Sequence, residues 1–489
     1  MFETSISLPR AGSRWTALAL IVAAQFMVVL DLAIVNVALA TIKTDLGFSQ
    51  ASLQWVITAY AIVFGGFLLL GGRLADLLGR RRIFLTGVSI FTLSSVLCGL
   101  AWSEASLVAF RAVEGLGGAL LAPAGLSLLM TTFREGRERN VALGIWGAAS
   151  GSGAAVGVLL GGVLTSTLSW PWIFYINVPV GIAIAALAPF YLAESRVELA
   201  VPRHFDFAGA ASVTAALMVL VYGLTRATEI GWGSPETITL LFASALLVLT
   251  FVLIERRAPA PLLPFRVFRG NNLAVANLIT ALIAAIGFSQ FFVLTLYLQQ
   301  VLGYSAAKSG VAFTSIALTV AVMSNVAQRL VTRLGPRLVL VAGLLFATAS
   351  EALLVRLPVH GHYATDLLPS FILIGLALGT SFVAVTIAGL QGVVPADAGI
   401  ASGLVNTSRQ IGGAVGLAVV STVAASSAGR VGVGAAAAAS DLTHGFRISF
   451  AVLAVLGIVA AVLTAVSLRP RKESSELAPA ELAELQEAA

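Results

Sequence analysis

The chain has 489 residues, of which 58% are hydrophobic and only 11% are charged, and its net charge at neutral pH is +6. Soluble domains carry about 25% charged residues, so this composition excludes a soluble protein and predicts a membrane protein with many spans. The positive charge does not indicate nucleic-acid binding, because the basic residues form short clusters between apolar runs, as in cytoplasmic loops. The runs are continuous rather than alternating, which favours helices over a β-barrel.

Fourteen apolar runs follow one another along the chain, and each is long enough to cross a bilayer as a helix. If the N-terminus is cytoplasmic, 21 Lys and Arg residues lie in segments on that side and 6 lie in external loops or at the outer ends of spans. This bias predicts that both termini are cytoplasmic, although twelve spans would give the same alternation. The predicted spans are residues 15–41, 53–71, 83–102, 106–130, 141–165, 172–193, 208–226, 237–254, 273–301, 309–328, 338–357, 366–393, 398–425 and 446–468.

Three short sequences recur in the same order, 256 to 259 residues apart. LGFSQA at 46–51 matches LGYSAA at 302–307, RLADLLGRR at 73–81 matches RLVTRLGPR at 329–337, and GAAVG at 153–157 matches GGAVG at 412–416. Because the first six spans end at residue 193, this offset leaves room for two more helices between two parallel six-helix halves. The predicted divisions are a cytoplasmic N-terminus at 1–14, an N-terminal half at 15–193, a linker with two helices at 194–272, a C-terminal half at 273–468 and a cytoplasmic tail at 469–489.

The first span carries polar side chains deep in the apolar run. Asp31 lies ten residues from its outer end, and Gln25 and Asn36 share a face of the helix because they are eleven residues apart. A carboxylate at such a depth is costly and indicates a functional site, since desolvation disfavours its ionised form and makes protonation accessible. A structural hydrogen bond to a neighbouring helix is the alternative for Asp31.

The sequence GRLADLLGRR at 72–81 connects the second and third spans. Its glycines allow a tight turn and close helix approach, and Asp76 can bind an arginine or a helix N-terminus. The alternative is that the arginines only enforce the positive-inside topology. That alternative does not require glycine and aspartate at these spacings.

The fourth span, residues 106–130, contains Arg111 and Glu114. At a spacing of three residues the two side chains lie on one helix face and can form an ion pair. The alternative for Arg111 is that its long side chain reaches the external surface. Glu114 lies one turn deeper and is shorter, so pairing with Arg111 is the expected arrangement.

The fifth span carries a ridge of glycines. Gly153, Gly157 and Gly161 recur at a spacing of four residues, and Gly162 follows. Such a ridge lets another helix pack closely, which serves ordinary membrane packing as well as a transport motif. A dinucleotide site is excluded, because no strand precedes the glycines.

Other polar residues in or near the spans are weaker candidates. Arg409 and Gln410 are predicted to serve structure, and Glu351 to face the surface in the outer half of its span. His360 and His362 have no third ligand nearby, so no metal site is predicted. The sequence contains no nucleophile–base arrangement, phosphate loop or cofactor motif.

The plan of six, two and six helices, together with these motifs, resembles the major facilitator superfamily and, within it, the fourteen-span drug–proton antiporters. The loop at 72–81 resembles the superfamily pattern G-x-L-a-D-r-x-G-r-r, with Leu77 in place of a basic residue. In the first span, LDLAIVNVAL at 30–39 resembles L-D-x-T-x-V-N-V-A-L, with Ala33 in place of threonine.

Further motifs extend the resemblance along the chain. RAVEGLGGA at 111–119 resembles R-x-x-Q-G-x-G-A-A, with Glu114 in place of glutamine. GVLLGG at 157–162 resembles the antiporter motif G-P-x-x-G-G, with Val158 in place of proline. LVNTSRQIGGAVG at 404–416 also resembles the fourteen-span family.

The resemblance implies an all-α major facilitator fold and proton-coupled efflux of small lipophilic compounds, cationic ones among them, by alternating access. It implies a cytoplasmic latch that breaks during transport, formed by Gly72, Asp76, Gly79, Arg80 and Arg81. It implies antiporter helix packing at Gly153, Gly157, Gly161 and Gly162. Proton or substrate binding in a cavity lined by the first and fourth spans is implied for Asp31, Arg111, Glu114, Asn36 and Gln25.

The expected partners are a small-molecule substrate, protons and the lipid bilayer of the plasma membrane, with the protein acting as a monomer. No enzyme activity or cofactor is expected, because the proton gradient supplies the free energy. Two alternatives stay open at this point. One is an exporter of a single endogenous metabolite, lipid or self-made antibiotic. The other is a non-transporting membrane sensor, which predicts an appended signalling domain that the 21-residue tail after residue 468 does not resemble.

Overall fold

A computed structural model describes residues 11–48, 52–53, 55–134, 136–195, 206–258, 261, 263–268, 272–391, 393–394, 397–428 and 435–468. Fourteen long helices and no strands occur in these ranges. The helices are α1 (Ala11–Leu46), α2 (Trp55–Leu78), α3 (Arg80–Gly99), α4 (Glu104–Thr132), α5 (Arg137–Thr167), α6 (Trp172–Tyr191), α7 (Phe207–Ile230), α8 (Pro235–Arg257), α9 (Leu273–Leu296), α10 (Ala306–Leu334), α11 (Pro336–Leu354), α12 (Leu368–Leu390), α13 (Ala398–Ala428) and α14 (Ala435–Ser467).

Short irregular turns modify three of these helices. A non-helical turn at Ile176 interrupts α6. A π-helical turn at Tyr297–Val301 extends α9, and another at Tyr363–Leu367 leads into α12. The predicted cytoplasmic N-terminus at 1–14 and the predicted cytoplasmic tail at 469–489 lie outside the described residues, apart from residues 11–14.

Twelve of the fourteen described helices are long and apolar enough to cross a membrane. The two exceptions are α5 and α13, so the predicted count of fourteen spans is not confirmed. Among the side chains of α5 that the structure describes, the continuous apolar stretch is Val156–Thr167. Both helices have 31 residues, and α13 also carries the polar side chains of Asn406 and Arg409.

The packing of the first six helices recurs among the last six. In the first set α1 packs on α5, α2 and α3 pack on α4, and α3 packs on α6. In the second set α9 packs on α13, α10 and α11 pack on α12, and α11 packs on α14. The correspondence extends to single residues, since Gly115 of α4 lies against the carbonyl of Tyr60 while Gly375 of α12 lies against the carbonyl of Ile316. A parallel repeat in the sequence predicts this recurrence.

The contacts between the two sets of helices include an equivalent pair. The second helix of each set packs on the fifth helix of the other, so α2 contacts α13 and α10 contacts α5. The helix α7 breaks this symmetry, because it packs on α8 and also on both α2 and α13. It therefore lies beside one of the two equivalent interfaces, and the largest buried apolar cluster extends across both sets.

A glycine immediately precedes the third helix of each set. Gly79 precedes α3 with a φ of 113°, and Gly335 precedes α11 with a φ of 79°. A residue with a Cβ atom would be strained at either position. The repeated sequences at 73–81 and 329–337 thus keep the same tight turn, while differing in the polar side chains that they present.

Candidate functional site

Arg111, Asp31 and Glu114 form a buried ion cluster inside the first set of helices. Nη1 of Arg111 donates to Oδ2 of Asp31 and to Oε2 of Glu114, and both distances are 2.6 Å. None of the three side chains is more than 1% exposed. Arg111 pairs with Glu114, as the spacing of three residues predicts, and does not reach the external surface.

Aromatic and backbone groups close the cluster around the guanidinium. Nε of Arg111 donates to the carbonyl of Val56 at 3.0 Å. The guanidinium carbon lies 4.4 Å from the ring centroid of Tyr60 and 5.7 Å from that of Phe174, which adds cation–π attraction. These groups keep water away from the charges and strengthen their interaction.

Two uncharged side chains complete the hydrogen bonds of the carboxylates. The hydroxyl of Ser95 donates to Oε1 of Glu114. The amide of Asn177 donates to Oδ1 of Asp31 at 3.3 Å and to Oγ of Ser95 at 3.4 Å. The cluster therefore joins α1, α2, α3, α4 and α6. Sequence reasoning missed Ser95 and Asn177 because they lie on other helices than Asp31 and Glu114, so no spacing along the chain relates them.

The charges of the cluster do not balance when both carboxylates are ionised. One guanidinium compensates one carboxylate, so Asp31 and Glu114 together leave a net charge of −1 in a sealed interior. A buried charge without compensation costs several kcal/mol, even after the surrounding protein relaxes. One added proton, shared between two interacting carboxylates, would make the cluster neutral.

The glycine ridge of α5 packs on the turn of α1 that carries Asp31. A Cβ atom on Gly157 would lie 2.8 Å from the carbonyl oxygen of Leu30, and one on Gly161 would lie 2.8 Å from that of Ile34. Gly153 is equally close to Val29, and Gly162 is buried. On its other side α5 meets the second set of helices, where a Cβ on Gly310 of α10 would lie 3.0 Å from Cα of Leu159.

Gln25 and Asn36 occupy different environments, although they share a face of α1. Gln25 is fully buried, and its Nε2 donates to Oγ of Ser150 at 3.2 Å. Its amide oxygen has no hydrogen-bond partner among the described residues. Asn36 is exposed and donates to the carbonyl of Leu32 within α1 at 2.9 Å.

Asp76 connects the two sets of helices at one end of the molecule. Its Oδ1 accepts from Nη2 of Arg80 at 2.7 Å and from the backbone N–H of Gly399 at 3.2 Å, and its Oδ2 accepts from the N–H of Ile400 at 3.2 Å. The carboxylate therefore caps the N-terminus of α13, where the helix dipole favours negative charge. Close contact between the backbones of Gly72 and Gly399 allows this approach.

The neighbouring residues of the same loop bind within the first set of helices. The carboxylate of Glu194 accepts from the backbone N–H groups of Arg81 and Arg82, each at 3.1 Å, and so caps the N-terminus of α3. The guanidinium of Arg81 donates to the carbonyls of Pro189 and Leu192, each at 3.2 Å. Arg80 thus serves the contact between the sets, whereas Arg81 anchors α3 to the end of α6.

A small cavity lies between the two sets of helices, bordered by α4, α5, α9, α12 and α13. Its volume is about 10 Å³, which is room for one water molecule. Its polar lining consists of Ser150, Thr280, Thr386, Asn406 and Arg409. Sequence reasoning assigned Arg409 to structure, because the rotation of an apolar helix about its axis cannot be read from its sequence.

Glu351 is buried inside the second set of helices, which contradicts the prediction that it faces the surface. Its side chain is 0% exposed, and neither carboxyl oxygen has a hydrogen-bond partner among the described residues. The prediction was wrong because the end of α11 that carries Glu351 packs against α12 and α14. Glu351 lies at the repeat position of Ser95, 256 residues earlier.

Comparisons with known proteins agree with this architecture. The family model described as Major Facilitator Superfamily matches residues 21–417. The human organic anion transporter MFSD10 (TETRAN) superposes with a TM-score of 0.66 over 92% of this chain and 99% of its own. At 15% sequence identity, that likeness concerns the fold alone.

Relatives of similar length are described as antibiotic resistance or export proteins. The puromycin resistance protein pur8 of Streptomyces alboniger is 41% identical, with 95% of this chain and 93% of the relative covered. The cephamycin export protein CmcT of Amycolatopsis lactamdurans is 40% identical, with 94% and 93% covered. The lincomycin resistance protein of Streptomyces lincolnensis is 34% identical, with 94% and 92% covered.

Proposed function

The chain belongs to the major facilitator superfamily, and on that premise we propose that it exports small, lipophilic, antibiotic-like compounds across the plasma membrane in exchange for protons. Relatives that match almost the whole chain at about 40% identity are named for resistance to puromycin and export of cephamycin. The many apolar helices make it a multi-pass membrane protein. Drug efflux is therefore the activity that the relatives support.

We propose that α5 and α13 cross the membrane as well, which gives fourteen spans with both termini in the cytoplasm. Each helix has 31 residues, or about 46 Å at 1.5 Å per residue, and this exceeds the thickness of a bilayer core. Each also packs between helices that are long and apolar enough to span. The division into 15–193, 194–272 and 273–468 follows from this count, and the protein is proposed to act as a monomer.

The two six-helix halves are proposed to rock about the central cavity. The bond between Asp76 and the N-terminus of α13 holds the cytoplasmic ends of the halves together in this conformation. Hydrogen bonds to a charged group contribute about 1.5–3 kcal/mol each, so the latch favours this closed state until substrate and proton binding shift the equilibrium. Opening toward the cytoplasm requires these bonds to break.

One observation supports the proposed proton coupling: the single buried guanidinium of Arg111 pairs with two carboxylates. When the first half opens toward the outside, a proton reaches the cluster and neutralises Asp31 or Glu114, which weakens the hold of that carboxylate on Arg111. Release of the proton toward the cytoplasm restores the net negative charge. The glycine ridge of α5 packs on the turn that holds Asp31, and the other side of α5 meets α10, so movement of α1 reaches the other half.

The proposal is tested by substrate uptake into inside-out membrane vesicles under an imposed pH gradient. Puromycin and a cephamycin, which differ in charge, serve as transported compounds. Asp31→Asn should reduce uptake to the level seen when the gradient is collapsed, because the amide keeps the shape but cannot exchange a proton. Glu114→Gln should have a milder effect, since Asp31 can still pair with Arg111. Uptake by Asp31→Asn with unchanged dependence on the gradient would show that the proton binds elsewhere.

The two alternatives from the sequence give different results in the same vesicles. An exporter of one endogenous metabolite, lipid or self-made antibiotic would accumulate a single member of a chemically varied panel. A membrane sensor would accumulate none of them at any imposed gradient. The cavity between the halves favours transport over sensing, because it lies where a rocking motion would open it.

A further inference from the structure

The charge of the cavity between the halves comes from one side chain. Arg409 of α13 lines this cavity, and none of the other residues that border it is ionisable. A guanidinium stays protonated in proteins, so the cavity carries one fixed positive charge. Asp31 and Glu114 do not border the cavity, because both are buried inside the first half.

No carboxylate compensates this charge within the described residues. The hydrogen bond that the guanidinium makes joins Nη2 of Arg409 to the amide oxygen of Asn406 at 2.6 Å. This arrangement differs from that of Arg111, whose guanidinium contacts two carboxylates at 2.6 Å. Arg409 therefore keeps N–H donors that can bind an acceptor placed in the cavity.

The other walls of the cavity suit an aromatic or apolar body that carries one acidic group. Trp146 and Phe382 supply aromatic surface, and Ser150, Thr280 and Thr386 supply hydroxyl groups. Hydroxyl and guanidinium donors together bind a planar oxyanion better than an ammonium group, which would meet like charge. The lining thus discriminates by charge as well as by shape.

We infer that the central cavity binds its substrate through an acidic group of that substrate, a carboxylate or comparable oxyanion, which pairs with Arg409. The inference rests on the proposed export function and narrows it, since the sequence had suggested cationic compounds among the substrates. In its present volume of about 10 Å³ the cavity is closed, so the pair forms when the halves separate. Arg409 is the specificity residue for charge, and the neutral walls bind the rest of the molecule.

The test is a binding comparison of three pyrene compounds that differ only in their end group. Pyrenebutyric acid, its primary amide and pyrenebutylamine are titrated into the purified full-length protein in nanodiscs, with tryptophan-to-pyrene energy transfer as the signal. Hydrogen bonds to charged groups correspond to about 10- to 100-fold in affinity, so the acid should bind at least tenfold more tightly than the amide. The amine should bind more weakly than the amide.

Variants of the protein test whether Arg409 causes the preference for the acid over the amide. Arg409→Gln should make the acid and the amide equal in affinity while leaving the amide unchanged, and Arg409→Lys should keep part of the preference. Arg356→Gln removes an exposed arginine after α11 and is the control for the change in net charge. If Arg409 only supported α13, Arg409→Gln would weaken acid and amide alike and keep their ratio.

Three outcomes would overturn the inference: absence of binding of the acid to the wild type, equal affinity of acid and amide, or a preference that survives Arg409→Gln. These outcomes are distinguishable from a failure of the proposed function. If the pH gradient drives uptake of puromycin but pyrenebutyric acid binds no more tightly than its amide, the inference is contradicted and the export function is not. Absence of uptake of every antibiotic in the panel would contradict the export function.

Discussion

The two halves of the protein share one arrangement of helices, but they differ in whether their buried ionisable groups have partners. In the N-terminal half Arg111 holds Asp31 and Glu114, and Ser95 and Asn177 complete their hydrogen bonds. In the C-terminal half Glu351 replaces Ser95 at the repeat position and has no partner among the described residues. The fold therefore does not require a charged cluster at this place, which points to a functional reason for the cluster in the N-terminal half.

Apolar packing fills the corresponding region of the C-terminal half. From the matching contacts of Gly115 and Gly375, Phe371 occupies the position of Arg111. Its ring stacks on that of Phe313, with centroids 5.5 Å apart and an interplanar angle of 4°. Aromatic stacking of this kind involves no ionisable group, so proton exchange is proposed for the N-terminal cluster alone.

Replacing Arg111 by an uncharged residue should lower the stability of the protein more than any other substitution that compares the two halves. Arg111→Met leaves two buried carboxylates without compensation, and breaking a buried ion pair in this way costs about 3–5 kcal/mol. We expect loss of folded protein, measured by fluorescence-detected size exclusion and thermal unfolding. Phe371→Leu at the matching position should cost less, because an apolar side chain of similar size refills the site.

A compensated variant checks the cause of that loss. Adding Asp31→Asn and Glu114→Gln to Arg111→Met makes the cluster neutral, so much of the lost stability should return. Transport driven by the pH gradient should stay absent in this triple variant, since no group in the cluster can exchange a proton. Failure of the triple variant to recover stability would mean that the arginine supports the fold through Val56 and Tyr60 rather than through charge.

Substitutions at matching positions of the two repeated loops should show the next largest difference, in this case in transport. Asp76→Asn removes a negative charge that caps α13, and we expect transport in vesicles to fall about tenfold with unchanged membrane insertion. Thr332 stands in the second copy at the position of Asp76, and its hydroxyl donates to the carbonyl of Gln328 within its own helix at 2.9 Å. Thr332→Val is the matched control and should transport normally, because no contact between the halves is lost. Equal turnover in both variants would reduce the first loop to a topological role.

The smallest effect is expected at Glu351. Glu351→Leu replaces an unpartnered buried carboxyl group by an apolar side chain of similar volume, a change that is often neutral or stabilising. The unfolding temperature should stay the same or rise by about 2–4 °C, and gradient-driven uptake should be unchanged. A loss of proton coupling in this variant would show that the second half takes part in proton binding and would remove the contrast between the halves.

Several features of the site could be predicted because they are local in sequence. The pair of Arg111 and Glu114 follows from a spacing of three residues on one helix, and the tight turns at Gly79 and Gly335 follow from glycine in repeated loops. The predicted count of fourteen spans is not confirmed, because the described parts of α5 and α13 contain no apolar stretch as long as a span. Other features join residues far apart in the chain, such as Asp31 with Arg111.

The sequence by itself determined the class of the protein, since an apolar chain can satisfy its backbone in a membrane only by forming helices. It also determined the repeat, the polar residues within the spans and the resemblance to drug exporters. Only the tertiary structure decided which of these residues meet, which charges are paired and which charge borders the cavity. Arg409 and Glu351 are alike in sequence, as single charges in apolar runs, yet one lines the cavity and the other is sealed in a half. A helix that is apolar on every side carries no periodic signal for its rotation about its own axis, so packing alone fixes where such a charge points.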